Sequence, residues 1–352
     1  MKVVVIGAGY AGSLAANRTV RKVRGAEVTV VNPRPDFVER VRLHQRIVGT
    51  ARAATPLESM LKAGIEVRLG SVEKVGNGAV VLDDGSVLLF DYAFLAVGST
   101  VRPMPGTVPV GTWEGAEQAR AALAALPAGS AVTVIGGGAT GVETAAEVAE
   151  ARPDLRVRII GSPVADGFSH RAFDRIRRGL ERLGVAIVDE GATAVTGGRV
   201  HLRSGASLAS DLTLWGIVSG VPDLAARSGL DVDADGRALV DPALRSVADP
   251  RVFAVGDCAA VPGARFACAT ATPQAAAAVD NLARLVAGRP PEPFAVRYLA
   301  RAVTLGRRAA VGQLTHRDDS LRRASMSGRP AVALKELASR GGKFGARTGI
   351  GG

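Results

Sequence analysis

Apolar and polar positions along this chain repeat one arrangement twice. Residues 2–6 (K-V-V-V-I) form a short β-branched run, and 10–23 place apolar residues at helical spacing without proline. A second run follows at 27–32 (E-V-T-V-V-N). These periods predict strand, helix, strand. The same order returns as a strand at 131–135, a helix at 139–151 and a strand at 155–161. Between the copies, 36–50 read as a helix or loop. Residues 65–91 alternate around turn signals at Gly76-Asn77-Gly78 and Asp83-Asp84-Gly85, which predicts a small antiparallel sheet. Residues 92–100 read as a buried strand closed by a turn at Gly98, and 100–112 as a Pro- and Gly-rich linker. Beyond the second copy come a helix at 170–183, strands at 185–188 and 199–202, a closing stretch at 211–222 and a short apolar strand within 249–258. A Pro-opened, Ala-rich helix covers about 273–287. Two strands within 297–316, a short helix at 331–339 and a Gly-rich basic tail complete the reading.

Each strand–helix junction carries three glycines at one spacing: Gly7, Gly9 and Gly12, then Gly136, Gly138 and Gly141. The first glycine permits the tight turn, the second leaves no Cβ between backbone and a pyrophosphate, and the third brings helix and strand close. The helix N-terminus then offers free N–H groups and a partial positive charge to phosphates. One such motif is weak evidence. Two predict two dinucleotide sites and an electron relay between two cofactors. Asn32 ends the second strand, where an acid commonly holds ribose hydroxyls, and it offers a neutral partner for that diol.

Composition narrows the field. No apolar run reaches the roughly 20 residues of a membrane span, and the first 12 residues lack the pattern of a signal peptide. The two cysteines, Cys258 and Cys268, form no C-x-x-C, which argues against a disulfide relay and a zinc site; no metal is expected. A cytoplasmic setting is expected, with at most weak peripheral contact with a membrane. The net charge of +11 is scattered and not interleaved with aromatic residues, so no nucleic-acid partner is expected. The β-rich C-terminal region is the candidate surface for a homodimer.

The motif order is the first fingerprint, A-V-G-S at 96–99, the second fingerprint running G-G-G-A-T-G-V-E at 136–143, then V-F-A-V-G-D at 252–257. Over roughly residues 1–340 it resembles the pyridine-nucleotide-dependent flavoprotein reductases. Within them it is similar to the type II NADH dehydrogenase and apoptosis-inducing-factor-like branch, which lacks the redox disulfide. The resemblance implies an α/β fold of two Rossmann-like, three-layer domains, the second inserted in the first. An FAD-binding domain would comprise 1–110 and 239–290, an NAD(P)H-binding domain 111–238, and a small α+β region with a basic tail 291–352. It implies FAD on Gly7, Gly9, Gly12, Asn32 and Gly98, with Asp257 accepting a ribityl hydroxyl. The helix opening at Thr272, Pro273 and Gln274 would aim its positive end at the flavin. NADH or NADPH would lie on Gly136, Gly138 and Gly141, with Glu143 orienting the nicotinamide. His44 would relay a proton. No acid follows the strand ending at Gly161, so Ser162, His170 and Arg171 are candidates for the extra phosphate of NADPH.

Two departures from the family pattern stand out. Val218 lies near the glycine expected after Trp215, and the C-terminal tail is short. The leading expectation is an FAD-dependent enzyme passing hydride from NAD(P)H to a quinone or another small acceptor. A flavin oxidase or dehydrogenase of an organic metabolite, with a vestigial NAD(P) site, is an alternative. So is a redox-sensing flavoprotein that binds a protein partner. Each site residue also has a plain structural reading: Glu143 as a first-turn helix acid, Asp257 as a strand-end cap, His44 as a buried hydrogen-bonder.

Overall fold

The computed structural model describes residues 1–351. Along the chain lie β1 (Lys2–Ile6), α1 (Tyr10–Lys22), β2 (Glu27–Asn32), α2 (Leu43–Ile47), β3 (Glu66–Leu69) and β4 (Tyr92–Leu95). Next come β5 (Val108–Pro109), β6 (Ala131–Ile135), α3 (Ala139–Ala151), β7 (Arg156–Ile160), α4 (His170–Arg182), β8 (Ala186–Val188) and β9 (Leu212–Trp215). The last are β10 (Val252–Ala254), α5 (Cys268–Val286), β11 (Ala300–Thr304), β12 (Ala310–Thr315), β13 (Leu321–Ser327) and α6 (Arg329–Thr348).

Two parallel sheets organise these elements. The first runs β10-β4-β1-β2-β3 and the second β5-β9-β6-β7-β8, so each strand that precedes a fingerprint is the central one. Both faces of β1 and β6 are covered, which is why these strands read as continuous apolar runs. A three-stranded antiparallel sheet accompanies each: 72–76, 79–82 and 87–89 beside the first, 192–196, 199–202 and 207–209 beside the second. The two units therefore repeat one architecture. Strand β10 returns from beyond the second unit to pair with β4, so the second unit is an insertion within the first. The crossings between the two units pair in turn: Thr100 N–H donates to Gly220 O, and Ser219 N–H to Thr100 O.

Several expectations change. Residues 36–50 hold a short strand (36–38), one turn of 3-10 helix (40–42) and α2. The stretch 100–112 supplies β5 at the edge of the second sheet, and Thr112 caps a further helix, Trp113–Ala125, by accepting from Gly115 N–H. Helix α5 begins at Cys268, a turn before the proline taken as its opening. Strand β13 adds a third member to the C-terminal sheet.

The largest correction concerns the C-terminus. The expected short helix and solvated tail form one 20-residue helix, α6. It lies along α1, with Gly345 and Ala346 buried. Asn17 Nδ2 donates to Ala346 O at 2.7 Å, and Arg21 donates to Gly349 O at 2.9 Å. Lys343, in the stretch read as a basic tail, bridges Glu39 and Thr55 at 2.7 and 2.8 Å.

Candidate active site

The two glycine fingerprints adopt the same geometry. Gly7 and Gly136 have φ of +97° and +129°, values that side chains rarely tolerate. A Cβ on Gly12 would fall 1.8 Å from Gly7 O, and one on Gly141 would fall 1.7 Å from Gly136 O. These glycines bring helix against turn. At Gly9 and Gly138, the N-caps of α1 and α3, a Cβ would meet nothing within 4 Å. No side chain caps either helix, so their first N–H groups face open space. This is the shape a pyrophosphate needs.

Around the first cradle the fit extends further. Asp257 Oδ2 accepts from Ser99 Oγ at 2.7 Å and Oδ1 from Ala267 N–H at 3.0 Å, which joins the end of β10 to the start of α5. Arg40 reaches the same place: its Nη1 donates to Ser99 O and Oγ, and its Nε to Gly111 O. Burial draws the Arg40 guanidinium below its ordinary pKa, while Asp257 opposes this. Gly98 (φ +70°) lies beside it. Gln274 Oε1 accepts from Gly256 N–H at 2.7 Å, but its Nε2 is buried without a partner. The hydroxyl of Tyr10, next to Gly9, is also buried and unpartnered. Orphaned buried donors are rare in native proteins. The Gln274 amide lies by the glycine cradle, since Gly256 faces Ala11 of α1, and its free donor suits a polar cofactor.

Two expected FAD contacts sit differently. Asn32 Oδ1 accepts from Ala8 N–H at 3.0 Å and its Nδ2 donates to Arg34 O at 2.7 Å, so its amide pins the glycine turn. Thr272, Pro273 and Gln274 lie one turn inside α5, which starts at Cys268, and the amides of Thr270 and Ala271 already donate to Ala267 O. Thr272 Oγ1 turns back to Cys268 O.

At the second cradle the strand end is closed to an acid. A Cβ on Gly161 would lie 2.6 Å from Gly137 Cα, because residues 161–165 fold over the fingerprint and Ala165 N–H bonds Gly137 O. The nearby Asp189 is occupied by Val164 N–H and Arg177. Ser162, His170 and Arg171 are exposed. Ile217 packs over Gly136, two residues beyond Trp215, whose Nε1 is buried and unpartnered. Val218 itself is half-buried.

The structure brings Glu143 and His44 together, although 99 residues separate them (143 − 44). Glu143 sits in the second turn of α3 and is 5% exposed. Its Oε1 accepts from Lys335 Nζ at 2.6 Å, from Thr304 N–H at 2.9 Å and from Thr304 Oγ1 at 3.1 Å. His44 Nδ1 stands 3.9 Å from its Oε2. Burial raises the Glu143 pKa, but the Lys335 ammonium, His44 and the Thr304 amide outweigh it, and the carboxyl titrates below its ordinary range. Burial lowers the His44 pKa to about 4, so its ring is neutral near pH 7 and its Nε2 has no protein partner. One turn on, burial pushes Glu147 up against the pull of Arg307.

Sequence reasoning missed Lys335 and Thr304. Both come from the C-terminal elements α6 and β11, and neither belongs to a motif. Among the described residues no group of His, Cys, Asp or Glu could hold a metal. Both cysteines are free. No helix among those residues is long and apolar enough to cross a membrane.

A family model described as pyridine nucleotide-disulphide oxidoreductase matches residues 1–281. The chain belongs to this family. It is an FAD-dependent oxidoreductase that uses NADH or NADPH. An NADH dehydrogenase-like protein of Mycobacterium tuberculosis is 30% identical over 294 residues, covering 74% of this chain and 73% of its own length. Two solved structures share the fold. The sulfide:quinone oxidoreductase of Aquifex aeolicus is 17% identical with a TM-score of 0.81, covering 99% of this chain and 92% of its own. NDH2 of Plasmodium falciparum, solved with NADH, is 15% identical with a TM-score of 0.80 and covers 99% of both chains. The family's name includes a disulphide, yet this member keeps two free thiols in its described residues.

Proposed function

We propose that this enzyme oxidises NAD(P)H and reduces a quinone or a similar small acceptor. The overall step is NAD(P)H + H⁺ + quinone → NAD(P)⁺ + quinol. FAD, when bound, supplies the carrier that takes two electrons from one partner and yields them to the other. The observation that carries the reading is the buried Glu143–Lys335–His44 cluster, which draws on α3, α6 and α2 at once. Its helix, α3, is the one that opens at the second cradle.

The chain's residues divide the work. Gly9 and Gly138 leave the two cradles open, and the N-termini of α1 and α3 offer N–H groups to phosphates. Asp257, held by Ser99 and Ala267, retains lone pairs for a polyol hydroxyl. Gly98 and Arg40 border the same place, and Asn32 keeps the glycine turn in shape. Glu143 stays ionised on Lys335 and Thr304 and orients the nicotinamide amide. His44 is neutral, so it takes a proton on one ring nitrogen as it releases one from the other, and relays to the quinol the solvent proton that the reaction consumes beyond the hydride. The first turns of α5, carrying Thr272, Pro273 and Gln274, present a positive end that favours negative charge. The closed strand end at Gly161 removes the usual ribose acid, so Ser162 and Arg171 receive the 2′-phosphate of NADPH.

Anaerobic addition of NADPH or NADH to the purified yellow protein tests this, followed by a quinone. Rapid bleaching, then recolouring with stoichiometric quinol, is expected, with NADPH at least as good a donor as NADH. No bleaching with either nucleotide would end the reading. A strong NADH preference would remove the phosphate role of Ser162 and Arg171.

A further inference from the structure

Beside the Glu143 cluster lies a small cavity of ≈ 20 Å³, bordered by His44, Gln45, Thr304 and Lys335. That is room for about one water molecule. Arg307, Val332 and Glu336 form its outer wall, and the same three residues form the inner wall of a much larger open cleft of ≈ 450 Å³. The cleft is completed by Arg308, Arg329 and Ala333. Its size falls within the range of small-molecule sites. It adjoins the small cavity at Arg307, Val332 and Glu336, on the side of His44 and Lys335.

The cleft's charge is one-sided. Arg308 and Arg329 are exposed, and neither has an ion-pair or hydrogen-bond partner among the described residues. Arg307 is tethered: its N–H donates to Glu150 at 2.6 Å and its guanidinium reaches Glu147 at 3.4 Å. Glu336 is the one carboxylate in the lining. It is already shared by Arg42 at 2.7 Å and Arg340 at 2.9 Å. Arg329 opens α6, so the positive end of that helix faces the same rim. Val332 and Ala333 give the wall an apolar strip.

We propose that this cleft selects an electron acceptor whose ring bears an anionic group, a carboxylate, phosphate or sulfonate. Arg308 and Arg329 hold the anion, and the ring lies along Val332 and Ala333 toward His44. Guanidinium forks match such oxyanions in shape as well as charge. A cleft of one sign also raises the local concentration of anions. This rests on the reading that the enzyme reduces a quinone or similar acceptor with His44 serving its proton. It adds the acceptor's charge.

The test compares 1,4-naphthoquinone-2-sulfonate with neutral 2-methyl-1,4-naphthoquinone, using the FAD-loaded enzyme and NAD(P)H. The ratio of their kcat/KM values should favour the sulfonate at low salt. It should fall as ionic strength rises past about 0.1 M. The R308A/R329A variant should lower that ratio about tenfold, the sum of two partly exposed ion contacts. R308K/R329K should restore part of it. Calorimetry with redox-inert 2-naphthalenesulfonate gives a readout that needs no turnover, and its binding should weaken in parallel. Equal ratios in wild type and R308A/R329A overturn the proposal even if both quinones are reduced. So does sulfonate binding that is unchanged by the substitutions. If neither quinone turns over but the naphthalenesulfonate still binds through Arg308 and Arg329, the anion site stands and the acceptor reading falls.

Discussion

Replacing Lys335 by methionine isolates the electrostatics of the buried cluster. The Lys335 ammonium donates to Glu143 Oε1 at 2.6 Å and to Ala302 O at 2.8 Å. Side-chain exposure is 21% for the lysine and 7% for the glutamate, so the pair is largely removed from water. Breaking such a pair on one side costs about 3–5 kcal/mol, because a charge is left without a partner. The partly exposed lysine places the expected loss near the lower end, about 3 kcal/mol at pH 8. The carboxyl can escape part of this by taking a proton. In the wild type Glu143 titrates below its ordinary 4.5 and is ionised in both states above pH 5. In K335M burial is no longer opposed by the ammonium, so the folded-state pKa rises above the unfolded one. Above 4.5 the unfolded chain then binds fewer protons than the folded one, and stability declines as pH rises, by up to about 1.4 kcal/mol per pH unit. Urea unfolding of both proteins between pH 5 and 8 measures this. The penalty should be small at pH 5 and grow toward pH 8. E143Q/K335M should recover most of it, since no charge remains stranded. A penalty independent of pH, or a double variant as unstable as K335M, would refute the assignment of Glu143 as a buried anion held by Lys335.

Three further outcomes follow from the same geometry. G138A should fold with unchanged Tm, because its Cβ meets no atom, yet raise the Kd for NAD(P)H about tenfold, seen in the nucleotide dependence of flavin bleaching; G141A, whose Cβ would strike Gly136 O, should fail to give stable protein. His44 makes the fold acid-sensitive: from pH 6.5 down to about 4 the unfolded chain takes up a proton that the folded one refuses. At about 1.4 kcal/mol per pH unit, roughly 3 kcal/mol is lost over that window, and H44Q should remove this slope from the urea midpoints. N17A should cost about 2–3 kcal/mol, since Asn17 joins Met60 O, Lys62 N–H and Ala346 O in a buried site, and limited proteolysis should then release the C-terminal helix.

The parts of this enzyme that were legible in its sequence are those governed by local rules. Gly7 and Gly136 need positive φ, while Gly12 and Gly141 need close approach. Both demands act over five residues, so the motif announces them. The two sheets followed from β-branched runs, and the family resemblance carried by the motifs implied their nesting. The cluster at Glu143 was half visible. Glu143 and His44 could each be named, but only the packing of α2 against α3 places them 3.9 Å apart. Lys335 and Thr304 carried no signal, because a lysine on an amphipathic helix and a threonine in a strand are ordinary surface and sheet residues. Their roles exist only through contacts spanning 192 and 161 positions.

The C-terminal helix shows why the local rules failed where they did. Gly341, Gly342 and Gly345 each cost about 1 kcal/mol in a helix relative to alanine, and so read as coil. In the fold the helix lies against α1 all the same, and its closest approach falls at Gly349, where a Cβ would stand 2.6 Å from Arg18 N; at Gly342 and Gly345 the Tyr10 ring and Leu14 are at ordinary contact distance, 3.5 and 3.8 Å. The basic residues that suggested a solvated tail also have partners. Lys343 meets Glu39, while Arg18 and Arg21 of α1 take the carbonyl of Gly349 where the helix ends in a left-handed turn. The helix carries Lys335 one turn below Ser339 and four residues above Ala331, which is fully buried. Docking the C-terminal segment on the first fingerprint helix is therefore what sets the ammonium against the carboxylate of the second. The helical state of this weakly helical segment and the charge state of Glu143 thus both depend on one packing contact, and perturbing Asn17 should disturb both.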